Sequence, residues 1–177
     1  MNILYIHGFG SKIDPNSDKQ IALRKIANVT AYAPDYTRGY RTVMADVDSF
    51  LREADLLIGT SMGGFLVSRL SEQTGKKFVA VNPVINTKAT LSKYIDSHTD
   101  HYDRPFTLDQ ATVDAYPDFL PSSNGMVLLD MGDELIDSFA TLEAIGHQMT
   151  VHTFAGGSHR FSHIDEALPL IGEIFEL

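Results

Sequence analysis

The sequence predicts an α/β fold built on a doubly wound parallel sheet, and three observations carry that prediction. Short apolar runs alternate with helix-period segments along most of the chain. Most of those runs are continuously apolar, not alternating, which suits strands covered on both faces. No internal repeat, low-complexity tract or linker interrupts the 177 residues, so one domain spanning 1–177 is expected. A chain of that size buries about two-thirds of its unfolded surface.

Taken in order, "NILYI" at 2–6 opens the sheet. A helix over about 17–27 follows, with Ser17 and Gln20 as a capping-box pair and Ala22, Leu23 and Ile26 as its buried stripe. "VTAYA" at 29–33 is the second strand, a helix covers 40–52, and "DLLIG" at 55–59 is the third strand. The helix at 62–74 presents Phe65, Leu66 and Leu70 on one face, and "FVAVN" at 78–82 returns to the sheet. After an interruption, "GMVLLDM" at 125–131, a helix over 135–147, "MTVHTF" at 149–154 and a helix over 165–176 complete a sheet of about six parallel strands with helices on both faces. The interruption, residues 83–121, shows no clear strand yet holds Pro83, Pro105, Pro117 and Pro121. A connection of that length in a compact domain is usually functional, so a short lid or binding insertion over about 86–121 is expected, the alternative being an irregular surface excursion.

Composition removes several classes of function. A net charge of −9 leaves no basic stripe for a phosphate backbone, so nucleic acid is not an expected partner. No run reaches 18 apolar residues, so no membrane span is expected. The N-terminal "MNILYIHGFG" has no basic region and too short an apolar run for a secretion signal, which makes the cytoplasm the expected location. The absence of cysteine excludes disulfides, thiolate metal sites and a cysteine nucleophile.

The chemistry gathers around Gly59-Thr60-Ser61-Met62-Gly63. G-x-S-x-G is cheap as a pentapeptide, but here it follows an apolar strand and opens a helix, the setting of a nucleophile elbow. The alternative is a glycine-rich bend with no task. A serine hydroxyl needs a base oriented by an acid, and in this setting they follow in the order serine, acid, histidine. That order is met: the strand at 125–131 runs into "GDELID", and the strand at 149–154 runs into "AGGSHRF". Asp133, just past the strand end, is favoured as the acid over Asp137, with Asp130 still inside the strand; the other reading of Asp133 is a helix cap. His159, after Gly156-Gly157, is favoured as the base over His163, which falls at the start of the last helix with Ser162 as its cap and Asp165 three residues on. His98, His101, His147 and His152 read as surface or packing residues.

The loop "YIHGFG" at 5–10 supplies the second oxyanion donor, so the backbone N–H groups of Phe9 and Met62 are the expected oxyanion hole. His7 reads as a structural anchor of that loop; with no H-x-H or H-x-x-E-H company, it points to no metal. Within the interruption, Tyr94, Tyr102, Phe106, Tyr116 and Phe119 are an aromatic supply out of proportion to its length. Tyr94, Tyr102, Phe106 and Tyr116 are expected to line a small, partly open acyl pocket, the alternative being that the rings only pack the segment down.

Together, "YIHGFGS", "GTSMGGFLV", the "NP" at 82–83, "GDELID" and "GGSHRF" resemble the YqiA/YcfP-like family of small bacterial α/β-hydrolases, in the same order and spacing from residue 3 to about 175. The resemblance implies a compact α/β-hydrolase sheet lacking the first strands of the larger hydrolases. It also implies a Ser61-Asp133-His159 triad acting on short acyl esters, in the branch that keeps its elbow serine. No cofactor or metal is implied, and the expected partner is a small acyl ester. Two alternatives stay open: a thioester or peptide bond attacked by the same triad, and a non-enzymatic binding module on the same fold.

Overall fold

In the computed structural model, which describes residues 1–100 and 102–176, strands and helices alternate as the apolar runs dictate. The strands are β1 (Asn2–Ile6), β2 (Asn28–Tyr32), β3 (Leu56–Thr60), β4 (Lys77–Val81), β5 (Asp96–Thr99), β6 (Pro105–Leu108), β7 (Gly125–Asp130) and β8 (Thr150–Phe154). The helices are α1 (Asp18–Leu23), α2 (Tyr40–Leu51), α3 (Met62–Thr74), α4 (Thr87–Leu91), α5 (Gln110–Asp114), α6 (Ser138–Ile145) and α7 (Ile164–Glu176). Six strands form one parallel sheet in the order β2-β1-β3-β4-β7-β8. Among the described residues no helix is long and apolar enough to cross a membrane.

The sheet explains its own composition. Successive side chains of a strand point to opposite faces. Leu4, Ile6, Leu57, Phe78, Ala80, Val127 and Leu129 face one core with Val43 and Val47 of α2 and Phe65, Leu66 and Leu70 of α3. Their neighbours Ile3, Tyr5, Leu56, Ile58, Val79, Val81 and Leu128 face a second core with Leu23 of α1 and Ala167 and Ile171 of α7. Both faces are covered, so β3 and β7 are buried at every position, while the edge strands β2 and β8 show exposed positions.

Three local expectations are corrected. Helix α1 ends at Leu23, and Ser17 makes no side-chain cap; the chain beyond closes in tighter turns, from Lys25 to Ala22 and from Ile26 to Leu23. The side chain of Gln20 is buried and turned toward His7 and Arg24, which takes it out of any capping box. Helix α6 begins at Ser138 with Asp137 as its N-cap, accepting from the Ala140 N–H at 2.9 Å, so Asp137 precedes the helix. The interruption does contain strands: β5 and β6 form a two-stranded antiparallel ribbon between the short helices α4 and α5. Its strands, "DSHT" and "PFTL", lack an apolar run because β5 is exposed throughout and β6 buries only Leu108 fully. His101 lies outside the described residues.

Candidate active site

Ser61 stands between β3 and α3 with φ 59° and ψ −121°, a backbone conformation that a residue with a Cβ adopts only where its surroundings force it. The glycines of the pentapeptide are what those surroundings require. A Cβ on Gly59 would lie 2.1 Å from the Gly63 carbonyl oxygen, and one on Gly63 would lie 2.1 Å from that of Ile6. The turn is therefore wedged between β1 and the first turn of α3. Its backbone is held from the far side by the chain leaving β4: the Ser61 N–H donates to the Val81 carbonyl at 3.0 Å, and the Ser61 carbonyl accepts from Val84 at 3.1 Å.

The loop after β1 passes directly beside this serine. A Cβ on Gly8 would come within 3.1 Å of the Ser61 Cβ and 3.5 Å of its Oγ. Phe9 follows Gly8, and Met62 opens α3, where a helix leaves its N–H groups without intrahelical partners and with a positive dipole end. His7 anchors the loop: its ring nitrogens lie 3.3 Å from Ser11 Oγ and 3.4 Å from Gln20 Nε2, and its carbonyl accepts from the Tyr36 hydroxyl at 2.8 Å. Burial, helped by the nearby Lys19 ammonium and opposed by Asp14, pushes the His7 pKa down to about 4, so the ring is neutral at pH 7.

The aromatics of the inserted segment divide between the site and the core. Tyr94 stacks on Phe9 with ring centres 5.0 Å apart, and Phe106 meets Phe9 edge-on at 5.2 Å. Tyr102 lies at the rim against Lys12 and Arg104. Tyr116 does not face a substrate surface: it is 1% exposed, donates its hydroxyl to the Tyr36 carbonyl at 2.7 Å and packs on Tyr40 and Phe65. That corrects its expected place in the acyl pocket, because its ring is buried in the core and its hydroxyl, the one polar group of the side chain, is bonded there. Beside Phe9 opens a cavity of about 320 Å³ walled by Pro34, Asp35, Tyr36, Arg104 and Phe106.

At the same sheet edge, past the ends of β7 and β8, Asp133 and His159 meet. The Asp133 carboxylate lies 2.8 Å (Oδ2) and 3.1 Å (Oδ1) from His159 Nδ1, and its Oδ1 also accepts from the N–H groups of Leu135 and Ile136. Burial works to raise the Asp133 pKa, but the hydrogen bonds from His159, Ile136 and Leu135, with the charge of the imidazole, outweigh it and hold the carboxyl below its ordinary value. With Nδ1 engaged by Asp133, the uncharged tautomer that this contact favours carries its proton on Nδ1 and has Nε2 as its acceptor. Glu134 takes the His159 backbone N–H at 2.9 Å.

Sequence reasoning missed a second acid–histidine pair next to the first. Asp130, the last residue of β7 and fully buried, holds His163 Nδ1 at 2.6 Å on its Oδ1. Its Oδ2 accepts from the N–H groups of Ser158 (3.0 Å) and Ser162 (2.6 Å), so Ser162 is bound to this carboxylate through its backbone and α7 starts beyond it at Ile164. Gly157, at φ +79°, passes so close that a Cβ there would lie 2.0 Å from Asp130 Oδ2. Asn82 was also missed, although its "NP" dipeptide was in view. With φ +42° it gives its amide hydrogens to the carbonyls of Ser158 (3.0 Å) and His159 (3.2 Å), and its Oδ1 accepts from the Asp130 N–H at 2.8 Å. Lys19 of α1 adds a hydrogen bond to the Arg160 carbonyl.

Comparison with known proteins gives this arrangement its kinship. A family model described as an uncharacterised protein family, UPF0227, matches residues 2–176, and the chain belongs to that family. The UPF0227 protein of Shewanella sp. strain ANA-3 is 24% identical over 177 residues, covering 96% of each chain. That of Pectobacterium atrosepticum is 26% identical over 179 residues, again 96% of each. Among solved structures, Est1E from Butyrivibrio proteoclasticus superposes with a TM-score of 0.68 at 13% identity, covering 99% of this chain and 85% of that one. The monoacylglycerol lipase of Paleococcus ferrophilus gives 0.66 at 15% identity, covering 99% and 94%. Mouse alpha/beta hydrolase domain-containing protein 10 gives 0.67 at 14%, covering 99% and 89%. The fold is that of the α/β-hydrolases, as the motif resemblance implies.

Proposed function

We propose that the chain is a serine hydrolase of carboxylesterase type, cleaving short-chain acyl esters through Ser61, His159 and Asp133. The observation that carries this reading is the strained Ser61 turn on the same sheet edge as a hydrogen-bonded Asp133–His159 pair. His159 Nε2 takes the Ser61 hydroxyl proton as Oγ attacks the ester carbonyl, and Asp133 stabilises the resulting imidazolium. The oxyanion is received by the N–H groups of Phe9 and Met62, each such donor being worth roughly 10²–10³ in rate. The imidazolium then protonates the departing alcohol, and a water deprotonated by His159 releases the acid from the acyl-enzyme. The chemistry calls on no cofactor.

Substrate size follows from the inserted segment. Phe9, Tyr94 and Phe106 cluster at the proposed oxyanion loop, and the inserted segment is too short to build a deep cleft over it, which favours short acyl chains. The monoacylglycerol lipase among the superposing structures supports the reaction class by analogy of fold. The test is labelling with a fluorophosphonate, followed by a series of esters of increasing acyl length. Labelling confined to Ser61, with turnover falling steeply as the chain lengthens, is the expected result. Equal turnover of short and long esters overturns the size assignment, and labelling that survives Ser61→Ala overturns the nucleophile.

A further inference from the structure

The loop that carries His159 is tied down by groups that the proposed chemistry does not use. Asp130 grips it at the N–H groups of Ser158 and Ser162 and at the His163 ring. Asn82 grips it at the carbonyls of Ser158 and His159, and is itself fixed to the Asp130 backbone. Residue 82 also stands in the segment that holds the nucleophile, since Val81 accepts the Ser61 N–H and Val84 donates to its carbonyl. One short stretch of chain after β4 thus contacts both the serine turn and the histidine loop.

Resting on the hydrolase reading, we propose that Asn82, Asp130 and His163 form a positioning clamp that sets His159 against Ser61, and that His163 acts on turnover only through His159. The chemistry of His163 fits that role. Its Nδ1 is held by a carboxylate without solvent access, and its ring stacks on Phe154 at 5.3 Å and 16°, with Phe161 near its edge. One ring nitrogen is thus taken by an anion and the ring is packed against two phenyl groups, while the side chain stays 20% exposed. Displacing a catalytic base by about 1 Å costs on the order of 10²-fold in rate, so a clamp of this kind is felt in kcat before it is felt in binding.

The test compares His163→Ala with His163→Asn, whose side-chain amide can replace the Nδ1 hydrogen bond to Asp130. The alanine variant is expected to lose about 10- to 100-fold in kcat with KM nearly unchanged, and to exchange the Ser158 and Ser162 amide hydrogens faster. The asparagine variant is expected to recover most of both. His159→Ala and Ser61→Ala, assayed in parallel, separate the two levels of inference. If either keeps full turnover the triad falls, and the clamp with it. If both collapse while His163→Ala keeps its kcat and loses only melting temperature, the clamp alone is overturned. A loss in His163→Ala as deep as in His159→Ala, without rescue by asparagine, also overturns it, because His163 would then be in the chemistry. Asn82→Gly, which accepts the positive φ but lacks the amide, is expected to show the same loss in kcat.

Discussion

The two acid–histidine pairs are near copies. In each, a carboxylate with no side-chain exposure takes a histidine Nδ1, at 2.8 Å for Asp133–His159 and 2.6 Å for Asp130–His163. Burial and pairing do not tell them apart; the surroundings do. His163 lies against Phe154 and Phe161, on the face of the sheet that α1 and α7 cover. His159 is held by its own backbone, its N–H on Glu134 and its carbonyl on Asn82, one residue from the strand end that fixes Ser61. The same hydrogen-bonded dyad thus occurs twice, and on the proposed triad only the pair that includes His159 serves Ser61.

The largest effect tests the residue that gives this comparison its meaning. Ser61→Ala should lower kcat by about 10⁶ with the fold retained, measured by ester hydrolysis and fluorophosphonate labelling. Next, the two acids should part company. Asp133→Asn should cost roughly 10³–10⁴ in kcat with little change in melting temperature, through loss of imidazole orientation. Asp130→Asn should do the reverse, destabilising by about 2–4 kcal/mol because buried donors lose a carboxylate acceptor, while kcat falls by about 10- to 100-fold. An exchange of these outcomes would reverse the assignment of machinery and scaffold.

A third histidine sharpens the contrast, since burial dominates the environment of His7 and lowers its pKa to about 4. Folded His7 binds its proton less readily than the unfolded residue, so stability should be full above pH 6.5 and fall as pH drops toward 4. The loss should be about 3 kcal/mol, read from denaturant midpoints, and His7→Gln should flatten it. The smallest effect belongs to Asp137, a helix cap: Asp137→Ala should cost about 1 kcal/mol in stability and leave kcat unchanged.

What the sequence showed of all this follows a physical rule. The strands of the main sheet were legible because two covered faces demand unbroken apolar runs, and the Ser61 turn because it needs glycines at fixed spacing. The β5–β6 ribbon was not, because backbone pairing at an exposed surface leaves little mark on composition. Asp130 and Asn82 were passed over for a related reason. Their work is done on backbone groups of a loop some 30 to 80 positions away, and no spacing rule connects such partners. The one available signal was Asp130 itself, a charged residue closing an otherwise apolar strand, which must find donors where the strand ends.

The arrangement of the sheet also sets a timetable. β1 pairs with β2 and β3 among the first sixty residues, whereas β8 is an edge strand that can only add to β7, and His159 lies beyond it. The Ser61 turn is closed by the Val81 carbonyl and the Val84 N–H, so it is complete only once β4 has joined the sheet. Parallel pairings between distant segments are slow to form, so the last edge lags the first. On the proposed triad, the site is complete only when the edge strand β8 has docked and brought His159 to the edge that carries Ser61.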